Sequence, residues 1–274
     1  MDRIRSCDVD INLREMPIRT GRENLLYKTN DGQILKVFSK RLIDEGKDVL
    51  EKKLSNPRKI EGVVGPNQIV CIHDDIAGYT MNYVNGKHIL ECEKALAPES
   101  RNDLTRIAER YLELERLVRN AGDDVVFPEL RDKVFVTDKG ETKIIGYDNI
   151  QIGDMKSLSW PRAYGSLSKY LKGDGMYTKD VDVSTLIWFY LKMAFDLDLV
   201  NFDLNTNDPL QHAKELLESV KMPLVLTEKI LLLYRADKNN EYLGDIVLEI
   251  ADKYRLVVNN KNIYYPASKI LVNK

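Results

Sequence analysis

Apolar residues in this chain follow two regimes. Up to about residue 84 they alternate with polar ones in short runs, whereas beyond residue 102 they recur three and four positions apart. The early runs predict five strands, at 9–18, 24–29, 33–38, 68–73 and 77–84. Turn signals separate them at Thr20-Gly21-Arg22-Glu23, Asn30-Asp31-Gly32 and Asp74-Asp75. One helix interrupts the series at 41–54, where Leu42, Ile43, Val49, Leu50 and Leu54 have mixed helical spacing and Asn56-Pro57 closes the run.

Residues 102–120 carry Leu104, Ile107, Ala108, Tyr111, Leu112, Leu114 and Leu117 at helical spacing, the strongest helical signal in the chain. Residues 124–152 then read as two short β-patterned runs joined by a polar turn, with acidic residues at either end. A stretch rich in Gly, Ser, Pro and Tyr follows at 153–179, without periodicity; a long irregular segment of this kind is more often functional than idle. The run from Asp182 is apolar nearly all round, which predicts a buried helix containing Trp188. Further helices are expected at 209–220, with Pro209 in the first turn, at 227–234 and at 242–254. The tail, 256–274, reads as a strand pair or an extended arm. The pattern alone gives an α+β chain, sheet-rich in its first third and helical thereafter.

With 274 residues the chain can form one large domain or two lobes around a cleft. Forty-one Lys and Arg balance 43 Asp and Glu, a net charge of -2, so bulk charge points to neither nucleic acid nor an anionic membrane. Cys7, Cys71 and Cys92 form no CxxC pair, and His73, His88 and His212 have no shared ligand spacing, so neither a disulfide framework nor a zinc site is expected. No run approaches the roughly 20 apolar residues of a membrane span. A soluble cytoplasmic protein is the expectation.

The order of elements, five strands with one helix, a connector, then helices opening with a β-hairpin, resembles the protein-kinase-like superfamily, and the motifs fall in register. Residues 21–27 resemble the glycine-rich loop, with Gly21 retained and Asn24 at a usual glycine position. Ile34-Leu35-Lys36-Val37-Phe38 resembles the strand bearing the ATP-binding lysine; Glu51, or else Glu45, is its candidate helix partner. Residues 78–86 resemble the last N-lobe strand and hinge, with Met81 as gatekeeper and Asn82, Tyr83 and Val84 where adenine would meet backbone. Residues 127–134 align with H-R-D-L-x-x-x-N: Phe127 replaces the histidine, Glu129 the catalytic aspartate and Val134 the metal-binding asparagine. Residues 143–148 align with the strand into D-F-G, Gly146 replacing the metal-binding aspartate, and Asp182 with the aspartate that braces the catalytic loop. The resemblance implies a bilobal fold: an N-lobe at 1–85 with a five-stranded antiparallel sheet and one helix, and a mainly helical C-lobe at 86–274 containing the 124–152 hairpin.

Phosphoryl transfer in that family depends on positioning and on metal held by the two replaced residues. Val134 and Gly146 supply no side-chain oxygen, so magnesium is not expected at the usual site. Glu129 keeps a carboxylate one methylene longer, and a misplacement of about 1 Å costs roughly 100-fold in rate. Asp148, two residues past Gly146, lies on the same side if the extended strand continues and is a candidate displaced metal ligand. Lys36 and the hinge keep ATP open as a ligand, while Phe127, Val134, Phe135 and Tyr147 are the side chains that could fill the pocket instead. The resemblance therefore implies a pseudokinase acting through a protein partner or nucleotide sensing. The alternatives are an atypical ATP-dependent phosphotransferase using Glu129 and Asp148, and a non-catalytic structural or assembly protein.

Overall fold

A computed structural model describes residues 1–5, 19–20, 24–92, 103–128, 130–158, 170–195, 209–219, 224–235 and 243–259. The chain divides into two compact units: Met1–Lys87 with Asp124–Ser159 and Gly173–Tyr177, and His88–Asp123 with Trp160–Lys172 and Thr178–Lys274. The first unit thus brings residues 124–152 together with the N-terminal strands. Among the described residues no helix is long and apolar enough to cross a membrane.

The first unit is mixed α/β. Its main sheet has six strands: β1 (Arg3–Arg5), β2 (Arg19–Thr20), β3 (Asn24–Lys28), β4 (Ile34–Phe38), β5 (Pro66–Ile72) and β6 (Asp75–Met81), in the order β1-β5-β6-β4-β3-β2. The expected antiparallel sheet is corrected here to a mixed one. Strand β1 runs parallel to β5, Arg3 opposite Ile69, and adds an edge that alternation could not reveal, because Arg3-Ile4-Arg5 offers one apolar residue. The first expected strand, 9–18, lies outside the described residues.

Helix α1 (Lys40–Ser55) starts where the Ser39 hydroxyl accepts the Leu42 N–H, satisfying one of the first-turn donors. Its inner stripe is Leu42, Gly46, Leu50, Lys53 and Leu54, spacings of three and four that place one lysine among apolar residues. After β7 (Gly86–His88), the chain returns to this unit as β8 (Val125–Val126), β9 (Val134–Thr137), β10 (Thr142–Ile144) and β11 (Gln151–Ile152). Strands β9 and β10 form a hairpin whose turn ends on Gly140 at φ +81, a left-handed conformation that suits glycine. Strand β7 lies beside β9, while β8 and β11 pair at the hairpin's base. The Val64 N–H donates to the Ile144 carbonyl, and the Ile144 N–H to the Gly62 carbonyl, at 2.8 Å each, fastening the hairpin to the α1–β5 connection.

The second unit contains α2 (Ile89–Cys92), α3 (Asp103–Asn120), α4 (Asp180–Phe195), α5 (Pro209–Ser219), α6 (Leu224–Arg235) and α7 (Leu243–Asn259). Helix α4 is buried over most of its circumference, as its apolar run predicts, and α3 buries Ile107, Ala108, Tyr111 and Leu114 on one face. A Cβ on Gly244 would stand 2.7 Å from Leu112 Cδ2, so the missing side chain lets α7 approach α3. Helix α7 continues to Asn259; residues 256–259 are therefore helical instead of extended, and the rest of the expected tail lies outside the described residues.

Tyr111 and Tyr190 meet edge to face, ring centroids 5.5 Å apart, and among the described residues neither buried hydroxyl has a hydrogen-bond partner. A buried unpaired hydroxyl costs about 1–3 kcal/mol, whereas the ring stabilises by packing. Tyr190→Phe is expected to leave stability unchanged or raise it by up to about 1 kcal/mol, measured as the urea unfolding midpoint. A clear loss would show that the hydroxyl has a partner in solution.

Candidate functional site

Strand β4 places Lys36 in the middle of the sheet, between β3 and β6. Lys36 is paired in register with Tyr79, so the two side chains leave the sheet side by side on one face. Gly78 makes this closeness possible: a Cβ there would lie 2.0 Å from the Lys36 carbonyl oxygen. Lys36 is 2 % exposed and Tyr79 fully buried. The ammonium also lies 5.9 Å from the ring centroids of both Phe38 and Tyr79.

The partner of Lys36 is Asp148. Its carboxylate accepts from Lys36 Nζ at 2.6 and 2.8 Å through its two oxygens, and the Tyr79 hydroxyl donates to one of them at 2.8 Å. Strand β10 ends at Ile144, and Gly146, at φ +85, turns the chain into a 3-10 turn over Tyr147–Asn149. The extended continuation expected past Gly146 is thus replaced by a turn, and this aims Asp148 at the sheet. Tyr147 locks the turn by accepting the Arg58 N–H on its hydroxyl at 2.8 Å. Burial pushes the Asp148 carboxyl up, but the charge and hydrogen bonds of Lys36, the Tyr79 hydroxyl and the Lys133 charge hold it below its ordinary 3.8. Burial, then the Asp148 charge, raises the Tyr79 hydroxyl well above 10, so it stays a donor.

Helix α1 contributes Lys53. Its fully buried ammonium donates to the backbone carbonyls of Asp148 at 2.9 Å, Ile150 at 2.6 Å and Lys156 at 2.5 Å. Burial draws its pKa down to about 7, with the Asp148 charge opposing. The sequence reading missed this residue, although the signal was present: Lys53 lies three residues after Leu50 and seven after Gly46, on the apolar stripe of its own helix.

The other expected site residues fall in different places. Glu51 is half-buried on α1 and makes no bond to Lys36, whose carboxylate partner is Asp148 instead; Glu45 is exposed and pairs with Arg41 at 2.8 Å. Met81 ends β6 and is buried, while Asn82 and Tyr83 are exposed and Val84 is half-buried. Asn24 opens β3 opposite Phe38. Phe127 and Val134 are buried, and Gly146 lies under the Lys133 side chain. Asp182 is buried near the start of α4, its carboxylate 3.0 Å from Lys179 Nζ. Gly21 and Glu129 lie outside the described residues. The Asp148 carboxylate, its oxygens engaged by a lysine and a tyrosine, is arranged as an internal counter-ion and not as an open metal ligand. Among the described residues no group of three or more His, Cys, Asp or Glu is placed to hold a metal. No protein-family model matches the chain, and no curated protein matches it.

Removing one member of the Lys36–Asp148 pair leaves the other buried without its charge partner, so Lys36→Met and Asp148→Asn are each expected to lose about 3–5 kcal/mol. The double variant Lys36→Met/Asp148→Asn should lose less than the sum of the two, a coupling read by a double-mutant cycle in urea. Lys53 has a depressed native pKa, so between about 7 and its ordinary 10.5 the unfolded chain binds a proton that the native chain lacks. Its contribution to stability therefore rises with pH across that window. The difference in unfolding free energy between wild type and Lys53→Met should grow in favour of wild type from pH 7 to pH 9.5; a flat difference contradicts the assignment.

Proposed function

We propose that the chain is a pseudokinase-like protein, bilobal and cytoplasmic, that acts by binding a protein partner and not by phosphoryl transfer. The observation that carries the reading is the engagement of Lys36: the ammonium that would meet nucleotide phosphates gives two of its three N–H bonds to Asp148, with 3 % and 0 % of the two side chains exposed. A buried carboxylate with two short contacts to that ammonium is a strong internal competitor for any anion. The two positions that would supply metal ligands carry Val134 and Gly146, and Phe127 and Val134 are packed into the interior. Phe127 and Gly146 line a small hollow together with Leu130, Lys133, Ile144, Ile145, Asn149 and Ile150.

The phosphotransferase alternative requires Asp148 to hold a metal, and its carboxylate is already committed to Lys36 and Tyr79. Balanced overall charge supports a protein partner in preference to nucleic acid.

Thermal melting with ATP, alone and with magnesium or manganese, tests the reading. A ligand at 100 times its dissociation constant stabilises by about 2.7 kcal/mol, a shift that melting detects readily. No rise is expected under any of the three conditions. A metal-dependent rise would favour the enzyme, and a metal-independent one a nucleotide sensor.

A further inference from the structure

We propose that the residues after α7, 260–274, fold back and dock on an apolar face that α6 and α7 leave exposed within their own unit. This docking is independent of the state of Lys36.

Helix α6 is apolar on two sides. Thr227 and Ile230 are buried, α6 packing against α4, α5 and α7, whereas Leu224, Val225 and Leu232 are 68, 47 and 46 % exposed. A helix apolar on one side is satisfied by one packing, and one apolar on two sides calls for a second cover. Leu248 of α7 adds a fourth apolar side chain, 43 % exposed. Among the described residues the remaining exposed large apolar side chains are Ile72 and Tyr83 of the other unit, so the exposure is concentrated on these two helices instead of scattered singly. The Lys229–Glu249 pair, 2.5 Å apart, sets α6 and α7 side by side. Val225 and Leu232 lie four residues before Lys229 and three after it, on its stripe, and Leu248 precedes Glu249, so all three border one seam.

Three properties of residues 260–274 match this seam. The first is apolar content: Ile263-Tyr264-Tyr265 and Ile270-Leu271-Val272 are two triplets in an otherwise polar segment. The second is charge. The segment carries Lys261, Lys269 and Lys274 and no acid, whereas the seam carries Glu228, Asp245 and Asp252, all exposed, beside the paired Lys229 and Glu249. Opposite signs fix the register of a contact that apolar burial drives. The third is reach. Leu248 lies eleven residues before Asn259, the last residue of α7, which is about 16 Å along the helix. Extended chain covers roughly 3.3 Å per residue, so about five residues span that distance. Asn259, Asn260 and Asn262 suit the reversal that the path requires, because asparagine accepts the left-handed conformation that commonly ends a helix.

The test is carbodiimide cross-linking, which joins only amines and carboxylates in contact, on an equal mixture of isotope-labelled and unlabelled full chain, read by peptide mass spectrometry. Wild type should link Lys261, Lys269 or Lys274 to Glu228, Asp245 or Asp252 within one chain. The Lys229–Glu249 link should form in every sample and shows that α6 and α7 remain folded. In Leu232→Gln/Leu248→Gln, and separately in Tyr264→Ser/Leu271→Ser, the links from the three lysines should fall at least about three-fold relative to the Lys229–Glu249 link, since each variant removes apolar burial from one side of the contact. Ile72→Gln, an exposed apolar position on β5, should match wild type. The docking is overturned if those links do not form, if both double variants leave them unchanged, or if they join only labelled to unlabelled chains, which would make a second copy the occupant. Should Leu232→Gln/Leu248→Gln lose the Lys229–Glu249 link, Tyr264→Ser/Leu271→Ser decides alone.

Discussion

The first unit depends on one buried ion pair. Taking a carboxylate and an ammonium out of water costs several kcal/mol per ion, and their attraction offsets this only when geometry is good and the remaining bonding capacity is used. Both conditions hold at Lys36 and Asp148: two contacts of 2.6 and 2.8 Å, a tyrosine hydroxyl on the same carboxylate, and a second lysine on the aspartate's own carbonyl. Asp148 thereby joins β4, β6 and α1 through one residue. The turn that presents it exists because Gly146 takes a left-handed conformation that a side chain would strain.

Charge around the carboxylate is lopsided. Below about pH 7, where Lys53 carries its proton, Lys36 and Lys53 face one aspartate, and Lys133 adds its field from beyond Gly146. The excess is absorbed by neutral acceptors, three backbone carbonyls around Lys53 and two aromatic rings near Lys36, in place of further acids. A site built this way keeps its aspartate ionised. A divalent cation needs several hard oxygens, and the Asp148 oxygens are already engaged by Lys36 and Tyr79.

Much of the fold was legible because it rests on periodicity. The helices at 103–120 and 180–195 and the strands at 34–38 and 66–72 lie within a few residues of their expected bounds. What was illegible has physical causes. A three-residue edge strand pairing parallel at the chain's beginning has no pattern to detect, and so the sheet is mixed. In the site, Lys36 and Asp148 were both singled out, but their pairing was not. It depends on a turn replacing an extended strand after Gly146, a long-range consequence of one backbone angle. Glu51 was expected opposite Lys36 from the resemblance to the kinase-like fold, yet the inner stripe of α1 passes through Lys53. A lysine on an apolar stripe is a signal that buried acceptors wait for it.

The most direct test of the account is the titration of the Asp148 carboxyl carbon by NMR in the unliganded protein, from pH 7 downward until the fold is lost. The pairing with Lys36 and Tyr79 predicts that the signal stays that of an ionised carboxylate below the ordinary 3.8, and that it protonates only with unfolding. Titration at or above 3.8 in the folded protein would mean that Asp148 is not the buried partner of Lys36, and the closed site described here would not exist in solution.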